Sequence, residues 1–535
     1  MDRRSFLGVA GGVGAAAATG ALFQRWQEIT PTLHYPGRAE GHFLRDRTKL
    51  PPPSQVIDTD VVILGSGVAG LCAAWQLKKA GHSGALMIDG PQPFGNAAGG
   101  RFGDLAYPTG GHYLPLPSSD MVHVREILSD LGIIERDALA DKPYYDERVL
   151  LHGPEERLLF NGAWQEGVVP SVGLTPQEAA EHQRFFAELE RLRQLRGSGG
   201  GYVFAFPSVR SASHLEIDAL DGLTMRQWLE RNGYSSTTLH WYVNYCCRDD
   251  YGTAYDKVSA WAGLHYFCSR RGQAANADSG TWLTWPGGMQ PLAEKLAASS
   301  GIVRRAGTTV SLRRTASGVE ALCFTLAGGV AQTYLVRARK AICAMPLYVA
   351  ARVVDGIGEI GFDPKLHMPA YAPWLVANFL MKAFPSELPD APLSWDNVVY
   401  QEPGLGYVVS THQDIRAAPP AKTVFSAYVA LSDCSPEQAR KWMQAASAQE
   451  LVALASADLK AAYGVNFAPC VERVDITLRG HAMAAPLPGF RSNAGLKALR
   501  EADGPIVFAH ADLSGFSVFE EASWWGCEAA RRVLT

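Results

Sequence analysis

The chain of 535 residues has nine cysteines but no C-x-x-C pair. Cys72, Cys246, Cys247, Cys268, Cys323, Cys343, Cys434, Cys470 and Cys527 are scattered, a spacing that argues against a zinc or iron–sulfur site. The adjacent Cys246 and Cys247 read as helix packing rather than redox chemistry. Beyond the first few residues no basic run or repeat period stands out, and a formal charge of −4 offers no electrostatic case for nucleic acid. A Ser/His/Asp hydrolase arrangement is also missing: Gly65-Ser66-Gly67 precedes Val68, which is not the context of a nucleophile elbow. What remains is a chain that is 47% hydrophobic. Its length allows two large domains, or one threaded through another.

The most informative segment is GSGVAG, Gly65 to Gly70, between the apolar run Val61–Leu64 and the helical stretch LCAAWQLKKAG. A buried parallel strand, a glycine turn and a helix N-terminus make a dinucleotide pyrophosphate cradle. Gly65 permits the tight turn, and Gly67 lets the amides of the Val68-Ala69 helix start approach phosphate. Gly70 allows close helix–strand packing. Val68, Leu71, Cys72 and Trp75 give the helix an apolar face. A second apolar run, Ala85–Ile88, ends at Asp89, about 20 residues past the last glycine, where a ribose-binding acid belongs.

Arg3-Arg4-Ser5-Phe6-Leu7 precedes a glycine- and alanine-rich stretch from Gly8 to Phe23. It resembles a twin-arginine export signal, which implies the translocation machinery of that pathway as a partner and a periplasmic or exported location. Both cleavage and retention as an uncleaved anchor remain open. After Pro51-Pro52-Pro53, folding is expected to start near Val56, with residues 27–55 as linker.

The fingerprint alone does not separate NAD from FAD. Further clues are Gly99-Gly100-Arg101, Thr109-Gly110-Gly111-His112-Tyr113, and a C-terminal strand Ile506–Ala509 leading through Asp512 into VFEEASWWGCEAARRVL. With these the chain resembles the flavin-containing amine oxidase superfamily, strongly at both ends and faintly between. The resemblance implies FAD as cofactor. It implies an α/β fold in which a Rossmann-like FAD domain of the glutathione-reductase type is interleaved with an α+β substrate domain. Asp512 would contact the ribityl-phosphate region, and the helix start at Val518 would face the flavin pyrimidine edge. Arg101, after Gly100, would neutralise pyrophosphate or fix the loop below the flavin; the strand at Thr308-Thr309-Val310 would read the adenine through its backbone. Glu520 and Glu521, in the first turn of the last helix, read as ordinary acids complementing its dipole.

The expected FAD domain comprises residues 56–117, 283–352 and 476–535. The expected substrate domain comprises a mainly helical 118–282 and a mixed 353–475. Asp221 or Thr224 is the expected cap of TMRQWLERNG.

In this family a hydride equivalent passes from the carbon beside nitrogen to flavin N5. The position corresponding to the family's flavin-site lysine is Asn378; Lys382 lies four residues on, roughly 13 Å along a strand. That departure favours an electron acceptor other than oxygen. His481 is the expected proton acceptor or substrate-orienting group, and His112 has a similar claim, since an unperturbed imidazole titrates near pH 6.5. The favoured substrate is a small amine. Two alternatives share the signatures: a desaturase or isomerase of a carotenoid- or lipid-like substrate, and a catalytically silent flavoprotein.

Overall fold

A computed structural model describes residues 29–46, 49–388, 392–418 and 420–535; the export-signal expectation lies outside them. The described chain opens on β1 (Thr32–His34), then β2 (Val56–Leu64), α1 (Val68–Lys79) and β3 (Ala85–Ile88). It departs for β4 (Glu156–Phe160), β5 (Ala163–Glu166) and α2 (Thr237–Tyr251). It returns through β6 (Val303–Arg305), β7 (Thr308–Thr315), β8 (Gly318–Ala327) and β9 (Val330–Cys343). A second excursion supplies β10 (Ala370–Met381), β11 (Asp396–Val399), β12 (Tyr407–Val409), β13 (Thr423–Ala430) and β14 (Val471–Ala485). The chain closes on β15 (Ile506–Phe508) and α3 (Phe519–Leu534).

Two sheets result. One has seven strands in the order β6-β3-β2-β9-β8-β7, with β15 also paired to β9. Its β6, β3, β2, β9 and β15 are parallel, and Val61–Leu64 are at most 1% exposed, as a strand covered on both faces requires. The other has eight strands in the order β1-β14-β10-β13-β12-β11-β4-β5. Strand alternation divides its side chains: Trp374, Val376, Val408 and Tyr428 join the core shared with α1 and α2, whereas Leu375, Ala377, Phe379 and Phe425 join a separate rear core. The site lies on the front.

Three boundary expectations are corrected. β14 stays in the second sheet to Ala485, so the chain re-enters the Rossmann-like domain after it, not at 476. Residues 27–55 are more than linker, because β1 pairs in parallel with Asp475–Thr477 of β14. Segment 118–282, expected to be mainly helical, also contributes β4 and β5 to the second sheet. Of the two capping candidates, Thr224 forms the reciprocal bonds with Gln227. Among the described residues, no helix is long and apolar enough to cross a membrane.

Candidate active site

Gly65 has φ +114°, and a Cβ at Gly70 would run into the Gly65 carbonyl, so turn and helix depend on glycine at both places. Gly67 is the N-cap of α1; no side chain caps the helix there, and a Cβ at Gly67 would meet nothing within 4 Å. The first-turn amides of Val68, Ala69 and Gly70 thus form an open anion site. α3 begins at an equally uncapped Val518 and packs on α1 so closely that a Cβ at Gly526 would strike the Ala69 carbonyl. Asp89 ends the neighbouring strand; one of its carboxylate oxygens pairs with Arg304 at 2.7 Å. In β7 the register with β8 shifts between Thr309 and Ser311, leaving Val310 unpaired in the ladder, as a bulge beside a site does.

Two expected cofactor contacts look different in the structure. Arg101 is exposed, and its guanidinium donates to the carbonyls of Gly103 (3.3 Å) and Asp104 (2.9 Å); Gly100 beside it packs on the Tyr107 ring. Arg101 therefore braces its own hairpin. Asp512 is 1% exposed; its carboxylate accepts from three donors, Leu347 N–H (2.9 Å), Tyr371 O–H (2.5 Å) and Ser517 O–H (3.4 Å), and lies 3.1 Å from His510 Nδ1, which accepts from the Asp512 amide (3.2 Å). Burial pushes its carboxyl up, but His510, Tyr371 and the Leu347 amide outweigh this and hold it below its usual value. Three donors leave part of the carboxylate's acceptor capacity free.

The strip from Pro108 to His112 runs between the two sheets. Asn378 of β10 donates to the Pro108 carbonyl (3.0 Å) and accepts from Ser426 (2.6 Å); Tyr428 donates to the Gly110 carbonyl (3.1 Å). Asn378 is fully buried, so it positions the strip and has no surface to offer a substrate. Lys382 lies exposed beyond the end of the strand. His112 lies tilted against Tyr428 with centroids 4.4 Å apart and sits 5.6 Å from Trp395; burial drives its pKa to about 3. His481, on the solvent side, stacks on Tyr348 at 4.6 Å. Crowding by these rings, then Arg440 and Arg352, lowers it to about 4. Burial thus holds the His112 imidazole neutral, whereas His481 keeps its ring exposed beside Tyr348.

Three acids on the front of the second sheet, which sequence reasoning missed, have carboxyl groups raised above their ordinary range. Across the front of the second sheet one row runs in register from Asn378 through Ser426, Val408 and Asp396 to Glu156. Asp249, on α2, completes the group and accepts from the Tyr113 hydroxyl at 3.2 Å. Burial, then neighbouring acids, raise Asp249 and Glu156 to about 7 and Asp396 well above its usual value. Like charges directly opposite on adjacent strands repel, and no ion pair compensates Glu156 or Asp396 among the described residues. Among the described residues the hydroxyl of Tyr245, 8% exposed, makes no hydrogen bond, and the carboxyl groups acting on it are Asp396, Asp249 and Glu156. All three acids retain accessible surface, as do Tyr113 and Trp282, whose rings meet at 4.7 Å. The arrangement is a partly accessible cluster of acids beside the Tyr113 and Trp282 rings. Among the described residues no group of acids, histidines or cysteines is placed to hold a metal ion.

The signal was present in the strand phase. Glu156 shares its face with Leu158 and Phe160, and Asp396 with Val398, so each acid occupies a position alternation assigns to the core. Glu521, taken as a dipole complement, is fully buried and accepts from the Ser208 amide (2.5 Å) and the Ser514 hydroxyl.

Residues 63–131 match the family model of an NAD(P)-binding Rossmann-like domain. No curated protein matches the chain. Among solved structures, wild-type putrescine oxidase bound to putrescine is similar with a TM-score of 0.61 at 17% identity, covering 90% of this chain and 99% of that one. Cyclohexylamine oxidase from Brevibacterium oxydans gives 0.59 at 17% identity, covering 89% and 98%. A CLA-producing fatty acid isomerase from P. acnes gives 0.55 at 15% identity, with the same coverage. The likeness is one of fold: a Rossmann-like dinucleotide domain interleaved with a second domain.

Proposed function

We propose that this chain is an FAD-dependent oxidoreductase that oxidises an amine. The observation carrying the amine assignment is the cluster of the acids Glu156, Asp249 and Asp396 beside the Tyr113 and Trp282 rings. The putrescine and cyclohexylamine oxidases of the same fold support it. For the cofactor, the open amides at Val68–Gly70, the glycines at 65, 67 and 70, Asp89 and the Val310 bulge suit a dinucleotide, and the uncapped α3 suits a group that gains negative charge.

Bound FAD would supply the two-electron acceptor. The chain's part is to bind, orient and deprotonate. An ammonium reaching the cluster meets carboxylates and the faces of Tyr and Trp rings, which favour cations. With pKa values of about 7, Asp249 and Glu156 can take the proton an alkylammonium must lose before its carbon is oxidised. The neutral His112 and the rings beside it keep bulk water from the reacting carbon. An apolar chain in the same place would leave three carboxylates unpaired, which disfavours the desaturase and isomerase readings.

The test is to reconstitute the protein with FAD and mix it anaerobically with alkylamines, alkyldiamines and fatty acids. Amines are expected to bleach the flavin band and fatty acids to leave it. A polypeptide that takes up no FAD, or whose flavin answers only the fatty acid, contradicts the proposal. Asn378 in place of a lysine supports an acceptor other than oxygen, so dye reduction should outpace oxygen uptake. Arg3-Arg4-Ser5-Phe6-Leu7 supports export; replacing Arg3 and Arg4 by Lys should retain the protein in the cytoplasm.

A further inference from the structure

Arg479, on β14, sits between the two sheets and keeps only part of its surface accessible. Its guanidinium touches neutral acceptors only. Nε donates to the Thr109 carbonyl (3.0 Å), Nη1 to Gln92 Oε1 (2.7 Å) and Asn96 Oδ1 (3.3 Å), and Nη2 to the Thr109 hydroxyl (3.3 Å). Among the described residues it forms no ion pair. Arg157 and Arg270, also in the interior, pair with Glu387 at 2.8 Å and Asp250 at 2.6 Å. Burial lowers Arg479 to about 10, and only Tyr348 and Tyr428 oppose the shift. An enclosed cation without a counter-ion is unfavourable, and four of its five donors are used.

Its surroundings indicate which anion is missing. Gln92 and Asn96 belong to the turn that follows Asp89. A Cβ on Gly95 would lie 3.6 Å from the Cα of Gly67, so the turn holding the guanidinium abuts the open N-terminus of α1. Arg101, the arginine of the Gly-Gly-Arg segment, is occupied with its own hairpin. We propose that Arg479, not Arg101, supplies the side-chain positive charge that neutralises the diphosphate of the bound dinucleotide. The inference rests on the FAD reading given above.

The experiment measures the affinity of the apoprotein for FAD and for ADP-ribose, which carries the diphosphate without the isoalloxazine, and records the apoprotein's melting temperature. Arg479→Met is expected to weaken both ligands by roughly 30-fold or more, the scale of lost charged hydrogen bonds, without lowering the apoprotein melting temperature. Arg479→Gln, which keeps a donor for Thr109, should lose as much, Arg479→Lys should recover most of the affinity, and Arg101→Gln should stay within about threefold of wild type. Unchanged affinity in Arg479→Gln, or a larger loss in Arg101→Gln, overturns the assignment. So does a loss confined to FAD, which would put the charge at the ring. A wild-type protein that binds neither ligand instead removes the dinucleotide reading on which the assignment depends.

Discussion

Two consecutive rungs of the same pair of strands have opposite electrostatic fates. Arg157 and Asn397 are register partners facing the rear of the second sheet; Glu156 and Asp396, one residue earlier, face the front. The rear rung is satisfied. Arg157 donates to Asn397 (2.6 Å) and Tyr463 (3.2 Å), pairs with Glu387 (2.8 Å) and lies over the Trp164 ring (3.9 Å). The front rung sets two carboxylates side by side and a third from α2 near them; Arg270, the cation acting on that third acid, is paired with Asp250. A fold gains nothing from such repulsion, so the front rung is there for what enters the site and the rear rung for the sheet itself.

The contrast is sharpest in stability. Arg157→Leu leaves Glu387 uncompensated at the rear and should cost about 3–5 kcal/mol, read as a shift in the urea midpoint. A variant of wild-type stability would break the comparison at its rear half. The front half is tested by pH. Alkyldiamines stay cationic well above neutrality, as lysine does, while Glu156 and Asp249 lose their protons near pH 7. Binding should therefore strengthen about tenfold, ~1.4 kcal/mol, from pH 6 to pH 8; Glu155, Asp250, Arg270, Tyr113 and Tyr245 surround the group and set its exact midpoint. Calorimetric titration at several pH values checks this, and a flat profile would leave the front acids without a cation-binding role.

Smaller effects sharpen the same contrast. Raised carboxyl pKa values mean that the folded apoprotein holds protons the unfolded chain has released. Their contribution is thus full at low pH and is lost as pH rises from about 4, the unfolded value, to about 7. Glu156→Gln with Asp396→Asn should flatten that part of the pH–stability curve and stabilise the apoprotein at pH 8 by about 0.2–1 kcal/mol, opposite in sign to Arg157→Leu. Tyr245→Phe removes only a hydroxyl with no hydrogen-bond partner among the described residues. Its urea midpoint should move by less than about 0.5 kcal/mol, while amine affinity falls a few-fold.

The Rossmann-like half was legible because its chemistry is local. Gly65, Gly67, Gly70 and Asp89 lie within one β-α-β unit, and backbone sterics leave few alternatives to glycine at the turn and the close contact. The second domain was not, because its site is assembled by pairing. Glu156, Asp249 and Asp396 come from two strands and a helix far apart in sequence, and only register puts them together. Their phase in the alternation was readable, yet an isolated acid at a core position does not say which partner faces it. His112 shows a related limit: residue type gives an unperturbed pKa, and burial lowers it from there.

The most direct measurement is anaerobic rapid mixing of FAD-loaded wild type and the Glu156→Gln, Asp396→Asn double variant with an alkyldiamine, following flavin reduction against amine concentration. Wild type should reduce with saturation, and the double variant should need about 10–100-fold more amine for half-saturation, the range of lost charged contacts. Equal half-saturation in the two proteins, or no reduction by amine in either, would contradict the claim that the front acids exist to receive a cationic substrate.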